Sequence, residues 1–405
     1  MRDETPQELH RRTTARDILQ AHLSAHGYRA IDTPLLEPTE LFLRKSGGEL
    51  ATRMYTFNDP GGNRVSLRPE FTPSVIRYYL ERAGEEPLPL RLQYSGPVFR
   101  YDEAGRFNQA HQAGAEVIGA ASPDSDGEML ALAMDGLSRL GAPSPQCVVG
   151  HVGVLHLMLG ELGISSRAQE FLIGCLPGLR ASSVNAADVL EQARSRGLVK
   201  GEDGSRAPVL PTNGGGRQDA IDALRHLFHD SLSGIQGSRS TDEILARFMS
   251  KQEQGDDPAS VERGVSLLSR VASSAGDEEQ AMSRLASALR EHGIGRECLS
   301  PLEEALAAFH IRRPDTPVMV DVGLVRGIAY YTGMVFEIRA GGSGSEVAVC
   351  GGGRYDGLVK AIGGLEDVPA LGFAYTLENL LGLLPEDAPR SLEESHSAPG
   401  YSQRR

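Results

Sequence analysis

The 405-residue sequence contains no tryptophan and only four cysteines, and no apolar run approaches the roughly 20 residues needed to cross a bilayer. The cysteines lie far apart, so the spacing of a structural zinc site is absent and a reducing compartment is expected. The first residues, MRDETPQELHRR, contain no apolar signal-peptide stretch. These absences predict a cytoplasmic protein without a metal site.

A block of positive charge is also absent, because no run of Lys and Arg is longer than a pair, and the formal net charge is −13. A protein that depends on phosphate backbone contacts usually carries a basic stripe. The charge pattern therefore argues against nucleic acid as the main partner. The apolar and charged fractions are those of a globular protein.

The order of helical and strand patterns predicts a core that is interrupted by an insertion. A helix is expected over residues 13–27, followed by strands, whereas residues 155–315 are mostly helical and strands resume at residue 317. We predict core segments at 1–154 and 316–385, a helical insertion at 155–315 and a disordered polar tail at 386–405.

A polar hairpin provides the first group of candidate site residues. Residues 89–101 predict two short strands broken at Gly96-Pro97, residues 111–119 predict a third, and a polar tip joins them. Period 2 places Gln112, Gly114 and Glu116 on one face, which predicts a pocket for a polar ligand unless that face meets solvent. His111 falls on the other face and is predicted to be a core residue.

Cations flank this hairpin, and a carboxylate precedes the next predicted helix. Arg100 and Arg106 are suited to phosphate contacts. In LRPEFT, residues 67–72, Glu70 lies just before the helix that Thr72 opens. It can hold an ammonium group or simply complement the helix N-terminus.

The second half of the core contains the segment RGIAYYTG, residues 326–333. Arg326 is placed to clamp a carboxylate or phosphate, with Tyr330 and Tyr331 lining a pocket. The alternative is a structural ion pair of Arg326 with Asp321 or Glu337.

The segment GGGRYDGL, residues 351–358, is rich in glycine. It lacks both the P-loop lysine and the context of a dinucleotide site, so neither is predicted. The glycines indicate close backbone approach to a ligand or a tight turn. Tyr355 is expected to face the same pocket.

Taken in order, these segments resemble histidyl-tRNA synthetase over residues 1–153 and 316–384. LRKSGGE, residues 43–49, is similar to the region near the family's dimer-forming motif. The resemblance implies an α+β fold of the class II aminoacyl-tRNA synthetase type. Its core would be an antiparallel sheet flanked by helices, and the protein would be a dimer.

The resemblance also implies roles for individual residues. Glu70 and Thr72 would bind the amino-acid backbone, and Gln112 would contact the amino acid. Glu116 and Tyr331 would recognise imidazole, and Tyr355 would help to close the pocket. Arg100 would hold the α-phosphate of ATP and Arg106 its terminal phosphates, while Arg326 would stabilise the developing adenylate charge.

Three positions depart from the family's pattern. Asn379 replaces an arginine that packs against adenine, Ala329 replaces an aspartate, and the 102–108 loop is shorter. An amide cannot replace the arginine's charge, so ATP binding is expected to be impaired.

The sequence after the last motif is polar, and an anticodon-binding domain is expected to be absent. This combination is similar to the ATP phosphoribosyltransferase regulatory subunit, a histidyl-tRNA synthetase paralogue. The resemblance implies a non-catalytic subunit required for the first step of histidine biosynthesis. It would have no cofactor and no catalytic residues of its own.

The expected partners are a short-form ATP phosphoribosyltransferase catalytic subunit and a second copy of this chain. Histidine is the candidate ligand, and neither a membrane nor tRNA is expected as a partner. The alternative is a stand-alone enzyme that adenylates histidine or a related amino acid, with Arg326 and Arg100 in catalytic roles. A third hypothesis is a histidine-sensing module without a partner enzyme.

Overall fold

The computed structural model describes residues 3–44, 47–101, 108–200, 255–324, 330–341 and 346–385. The predictions for Arg106, Arg326 and Ala329, for most of the hairpin tip and for the tail at 386–405 lie outside these residues.

The helices of the described residues are numbered in chain order. They are α1 (Pro6–Ala25), α2 (Thr39–Leu43), α3 (Gly47–Thr52), α4 (Thr72–Glu81), α5 (Pro123–Leu140), α6 (Val152–Glu161), α7 (Ser166–Gly174), α8 (Leu176–Arg180), α9 (Ala186–Ser195), α10 (Pro258–Ala272), α11 (Glu278–Glu291), α12 (Ser300–Arg312), α13 (Leu358–Ile362) and α14 (Leu377–Leu381).

The strands of the same residues form two sheets. They are β1 (Arg29–Ala30), β2 (Leu36–Pro38), β3 (Thr56–Asn58), β4 (Arg64–Leu67), β5 (Leu90–Phe99), β6 (Gln109–Ile118), β7 (Gln146–His151), β8 (Gly276–Asp277), β9 (Val318–Val320), β10 (Met334–Ala340), β11 (Val347–Arg354) and β12 (Ala370–Thr376).

The larger sheet has the strand order β1-β5-β6-β12-β11-β10-β7-β9-β8. All neighbours from β5 to β7 in this order are antiparallel, as predicted. The pairs β1–β5 and β7–β9 are parallel, so the sheet as a whole is mixed. Strands β2, β4 and β3 form a separate three-stranded sheet.

The hairpin of β5 and β6 differs from its prediction at one point. β5 continues through Gly96 and Pro97, which pair with Gln112 and His111 of β6. A proline that lacks an N–H was expected to divide the strand. The antiparallel partner keeps the backbone extended on both sides of Pro97, so one long strand replaces two short ones.

Local signals explain the helix ends. α1 begins two turns before its prediction, because Thr5 and Glu8 form a capping box ahead of Pro6. α5 ends at the predicted Gly141, whose φ of 72° is the left-handed conformation that glycine adopts readily. No helix in the described part of the chain is both long and apolar enough to cross a membrane.

Backbone contacts divide the chain into two compact units. The first comprises Met1–Val154, Ala275–Arg284 and Glu297–Arg405, and the second comprises Leu155–Ser274 and Leu285–Arg296. In the first unit α12 packs against α5, where a side chain at Gly127 would collide with the backbone of Ala308. α12 falls within the predicted insertion at 155–315, but its contacts group it with the first unit.

Candidate functional site

A cleft in the first unit collects most of the predicted site residues. The space within it measures about 910 Å³, a figure that includes open solvent at its mouth. Seven of the ten predicted binding residues line it: Glu70, Thr72, Arg100, Gln112, Tyr330, Tyr331 and Tyr355. Strands β5, β6, β11 and β12 and the start of α4 supply much of this wall.

Glu116 lies beneath the cleft wall and is only 1% exposed. Its Oε1 accepts hydrogen bonds from the hydroxyls of Thr72, at 2.7 Å, and Tyr94, at 3.1 Å. Its Oε2 accepts one from the hydroxyl of Tyr355. Burial raises the pKa of Glu116 from 4.5 to about 7, against the lowering effect of these donors. The carboxyl group can therefore exchange a proton near neutral pH.

Hydrogen bonds hold both Glu70, which lies just before α4, and Arg100, which directly follows β5. The Tyr330 hydroxyl donates to Glu70 Oε2 at 2.9 Å, and Arg100 Nε donates to the carbonyl of Pro69 at 2.8 Å. A carboxylate and a guanidinium thus line one cleft. This arrangement suits the ammonium and carboxylate groups of an amino acid.

Tyrosine rings form part of the apolar wall of the cleft. The ring centroid of Tyr330 lies 5.2 Å from that of Tyr331 and 5.6 Å from that of Tyr355. Burial raises the pKa of Tyr330 and of Tyr355 well above the ordinary tyrosine value, so both hydroxyls remain protonated donors. They can orient a carboxylate or a ring nitrogen but cannot act as anions.

Glycines make room for these side chains rather than for a turn. A Cβ atom at Gly114 would lie 2.6 Å from the Tyr94 hydroxyl, and one at Gly353 would lie 2.9 Å from the Tyr331 ring. A Cβ atom at Gly372 would overlap Glu116 Oε2. Protein groups therefore occupy the space above Gly114 that was predicted for a ligand. The glycines of GGGRYDGL that precede Arg354 lie within β11 and form no tight turn.

Sequence reasoning missed several residues of this site. Tyr94 stacks on Phe71 with centroids 4.2 Å apart, and the guanidinium of Arg68 lies 3.9 Å from the Phe71 centroid. Arg53, which follows α3, lines the cleft. The strand alternation that selected Gln112 and Glu116 extends through the pairing of Tyr94 with Gly114 and could have identified Tyr94. No motif marked Arg53.

His111 is half-buried and not a fully buried core residue. Its backbone N–H and its Nδ1 both lie within 2.9 Å of the Glu378 carboxylate on α14. The next residue, Asn379, donates from Nδ2 to the carbonyl of Ala348 at 2.8 Å. The side chains of α14 are thus engaged with β6 and β11.

Among the described residues no group of three or more His, Cys, Asp or Glu side chains is arranged to hold a metal ion. The four cysteines are free thiols.

The fold and the cleft define a protein of the class II aminoacyl-tRNA synthetase type. Residues 1–255 and 252–380 match the family model described as histidyl-tRNA synthetase. The chain therefore belongs to the histidyl-tRNA synthetase family.

Known proteins of the same type are similar to this chain over most of its length. The histidine–tRNA ligase of Methanocaldococcus jannaschii is 32% identical over 382 residues, which are 94% of this chain and 73% of the relative. Two solved structures share the fold. A Bacillus halodurans protein, called an ATP phosphoribosyltransferase regulatory subunit/histidyl-tRNA synthetase, has a TM-score of 0.65 at 22% identity, covering 95% of this chain and 82% of its own. A histidine–tRNA ligase subunit of Alicyclobacillus acidocaldarius has a TM-score of 0.53 at 26% identity, covering 95% of both chains.

Proposed function

We propose that this chain binds histidine in the cleft without activating it, and that it acts as the regulatory subunit of a short-form ATP phosphoribosyltransferase. The enzyme catalyses the first step of histidine biosynthesis. The fold is compatible with this role, because the Bacillus halodurans protein of the same fold carries both names.

Recognition of an amino acid is supported by the groups that line the cleft. Glu70 offers an anion for the ammonium group, and Arg100 offers a cation for the carboxylate. The hydroxyls of Tyr94 and Tyr355 donate their protons to the buried Glu116. Both tyrosines line the cleft, and each hydroxyl oxygen can still accept a hydrogen bond from a ring N–H.

The observation that carries the absence of activation is the state of Asn379. The family resemblance leads us to expect an arginine here, packed against adenine. The amide of Asn379 instead donates to Ala348, a residue of the cleft wall, and provides no positive charge. An amino-acid pocket that persists while the adenine contact is lost suits a sensor better than a ligase.

A dimer is part of this proposal, and the three-stranded sheet supplies its surface. Leu36 and Phe57 are 47% and 46% exposed. They pair with Leu67 and Val65 of β4, so the four apolar side chains share one face. Exposed apolar faces of this kind mark protein interfaces.

The test of the regulatory role is co-expression with a short-form ATP phosphoribosyltransferase. Size-exclusion chromatography should show a mixed complex, and the catalytic subunit should turn over faster when this chain is added. Separate elution together with unchanged turnover would reject the regulatory role.

The second candidate function is that of an enzyme that adenylates histidine or a related amino acid. Arg100 and Glu70 in one cleft favour it, as does the name histidine–tRNA ligase of the relative that is 32% identical. The two functions differ in ATP–pyrophosphate exchange. We expect no histidine-dependent exchange, and robust exchange would make the enzyme the better proposal.

A further inference from the structure

Arg354 is a buried cation that lies outside the cleft. It is the last residue of β11 and is only 6% exposed. The next residue, Tyr355, lines the cleft, whereas Arg354 is not part of its described lining. A guanidinium buried in this way loses its hydration and needs several hydrogen-bond acceptors within the protein.

These acceptors lie around the start of α5. Arg354 Nε donates to Asp126 Oδ1 at 3.0 Å, Nη1 donates to the carbonyl of Ala120 at 2.7 Å, and Nη2 donates to the carbonyl of Ser122 at 3.3 Å. Ser122 is the N-cap residue of α5. The guanidinium therefore joins the end of β11 to the beginning of α5.

Asp126 supplies the counter-charge for this guanidinium and is itself only 5% exposed. Burial raises the pKa of Asp126 from 3.8 to about 6, against the lowering effect of the Arg354 charge. The carboxyl group is therefore mainly ionised at neutral pH, and the two side chains form a buried ion pair. Removal of one partner from such a pair leaves the other charge uncompensated.

The backbone of Arg354 holds the segment that carries the first two cleft tyrosines. Its carbonyl accepts the N–H of Thr332 at 2.8 Å, and Thr332 directly follows Tyr330 and Tyr331. A Cβ atom at Gly333 would lie 2.8 Å from Arg354 Cδ, so this segment runs closely against the arginine side chain.

The third cleft tyrosine, Tyr355, is held on both sides. Its backbone N–H donates to the carbonyl of Ala370 at 2.7 Å. The following residue, Asp356, accepts the N–H of Ala370 at 3.0 Å and Arg354 Nη1 at 3.2 Å, both at Oδ1. These contacts fix the backbone from which the Tyr355 hydroxyl donates to Glu116.

We propose that Arg354 and Asp126 form a positioning pair that acts on the cleft from outside, by fixing Tyr355 so that its hydroxyl meets Glu116. Groups that recognise a ligand keep their orientation only where surrounding contacts lock them. The effect of the pair on ligand affinity rests on the histidine binding proposed above, whereas its effect on Tyr355 does not.

The test variant is Asp126→Asn, which keeps the shape of the side chain and removes its charge. Asp135→Asn is the matched control, because Asp135 lies on the same helix and is also paired with an arginine, Arg313. Calorimetry measures the histidine affinity of both variants, each in the wild-type chain and in Tyr355→Phe. Carbon NMR of the ligand-free chain, labelled at tyrosine Cζ, reports on Tyr355, whose resonance is identified by its loss in Tyr355→Phe.

Asp126→Asn should move the Tyr355 resonance and weaken histidine binding about three- to tenfold, as expected for one misplaced hydrogen bond. In Tyr355→Phe the same replacement should cost little further affinity, because its effect passes through a hydroxyl that is already missing. A residue that only supports the fold would not show this coupling. Asp135→Asn should leave the resonance and the affinity close to wild type.

The positioning role is overturned if the Tyr355 resonance of Asp126→Asn coincides with that of the wild type, or if the losses of affinity add in the double variant. If the wild type does not bind histidine, the proposed sensing function fails and the resonance alone decides on the pair. Should Asp126→Asn fail to fold, Asp126→Leu combined with Arg354→Met removes both charges and is measured in the same way.

Discussion

At the scale of single residues, the unusual feature of the site is a buried carboxyl group whose hydrogen-bond donors are hydroxyl groups. The hydroxyls of Thr72, Tyr94 and Tyr355 all donate to Glu116. Each hydroxyl stabilises the anion less than a guanidinium would, so burial dominates and the pKa rises. The free energy of unfolding therefore depends on whether Glu116 is protonated.

The first prediction concerns this linkage. The unfolded carboxyl ionises near 4.5 and the folded one near 7, so the folded state binds more protons between these values. The free energy of unfolding should fall as pH rises through this window, by at most about 1.4 kcal/mol per pH unit. Glu116→Gln should remove this contribution. Urea denaturation between pH 4.5 and 8 measures it, and parallel curves for wild type and variant would contradict the shift.

The second prediction concerns the space that a glycine leaves for Glu116. A methyl group at Gly372 would overlap Glu116 Oε2 and lie 2.6 Å from the Ala115 carbonyl. Gly372→Ala should therefore destabilise the fold by about 1–3 kcal/mol and weaken histidine binding. Gly174→Ala is the control, because a Cβ atom there meets nothing within 4 Å. Equal thermal midpoints for the two variants would show that the packing at Gly372 can relax.

The sequence predicted the composition of the site better than its geometry. Motif order and strand alternation selected Gln112, Tyr331 and Tyr355, which all line the cleft. They could not show that Glu116 lies behind the wall, because its position also depends on the hydroxyls of Thr72 and Tyr355, which are far away in the sequence. Contacts of this kind join distant parts of the chain and leave no local pattern.

At the scale of elements, the three-stranded sheet reverses the usual pattern of burial. Glu37 and Ser66 lie on one face and are buried. Glu37 forms a salt bridge with Arg77 at 2.7 Å, and Ser66 forms a hydrogen bond with Thr39 at 2.8 Å. The apolar Leu36 and Phe57 face outward. Alternation alone assigns apolar side chains to the interior, so the sequence could not predict this inversion. In the proposed dimer, a second copy of the chain would bury the exposed face.

The third prediction tests that dimer. Leu36→Asp places a charge in the proposed apolar interface, and desolvating an unpaired carboxylate is costly. Light scattering coupled to size-exclusion chromatography should show a dimer for the wild type and a shift to monomer for the variant. Leu365→Asp, at a leucine that is 98% exposed outside this sheet, should leave the dimer intact. A monomeric wild type, or a dimeric Leu36→Asp, would reject this interface.

At the scale of the whole molecule, the fold class was predictable because a class II site brings together four motifs that lie far apart in the sequence. The structural comparisons confirm the class II type, and the strands from β5 to β7 confirm the antiparallel core. The ends of the insertion were harder to predict. The helical pattern of α12 is the same whether it packs on α5 or within the second unit, and only tertiary contacts assign it to the first.

The fourth prediction follows from the division into two units. Each unit has its own buried residues, such as Val117 in the first and Leu268 in the second, so we expect each to unfold separately. The cleft belongs to the first unit. Histidine at 100 times its dissociation constant should stabilise the unit that binds it by about 2.7 kcal/mol. Hydrogen exchange should therefore slow in β6, β11 and β12, while amides of α7 and α10 in the second unit exchange at their original rates.

The control for this measurement is Glu70→Gln, which removes the proposed ammonium contact and should abolish the protection at the same histidine concentration. The ligand should then leave exchange unchanged in both units. Protection confined to α7 and α10 would place histidine outside the cleft. Equal protection in both units would show that they unfold together, because a ligand stabilises every amide whose exchange requires the unfolding event that the ligand opposes.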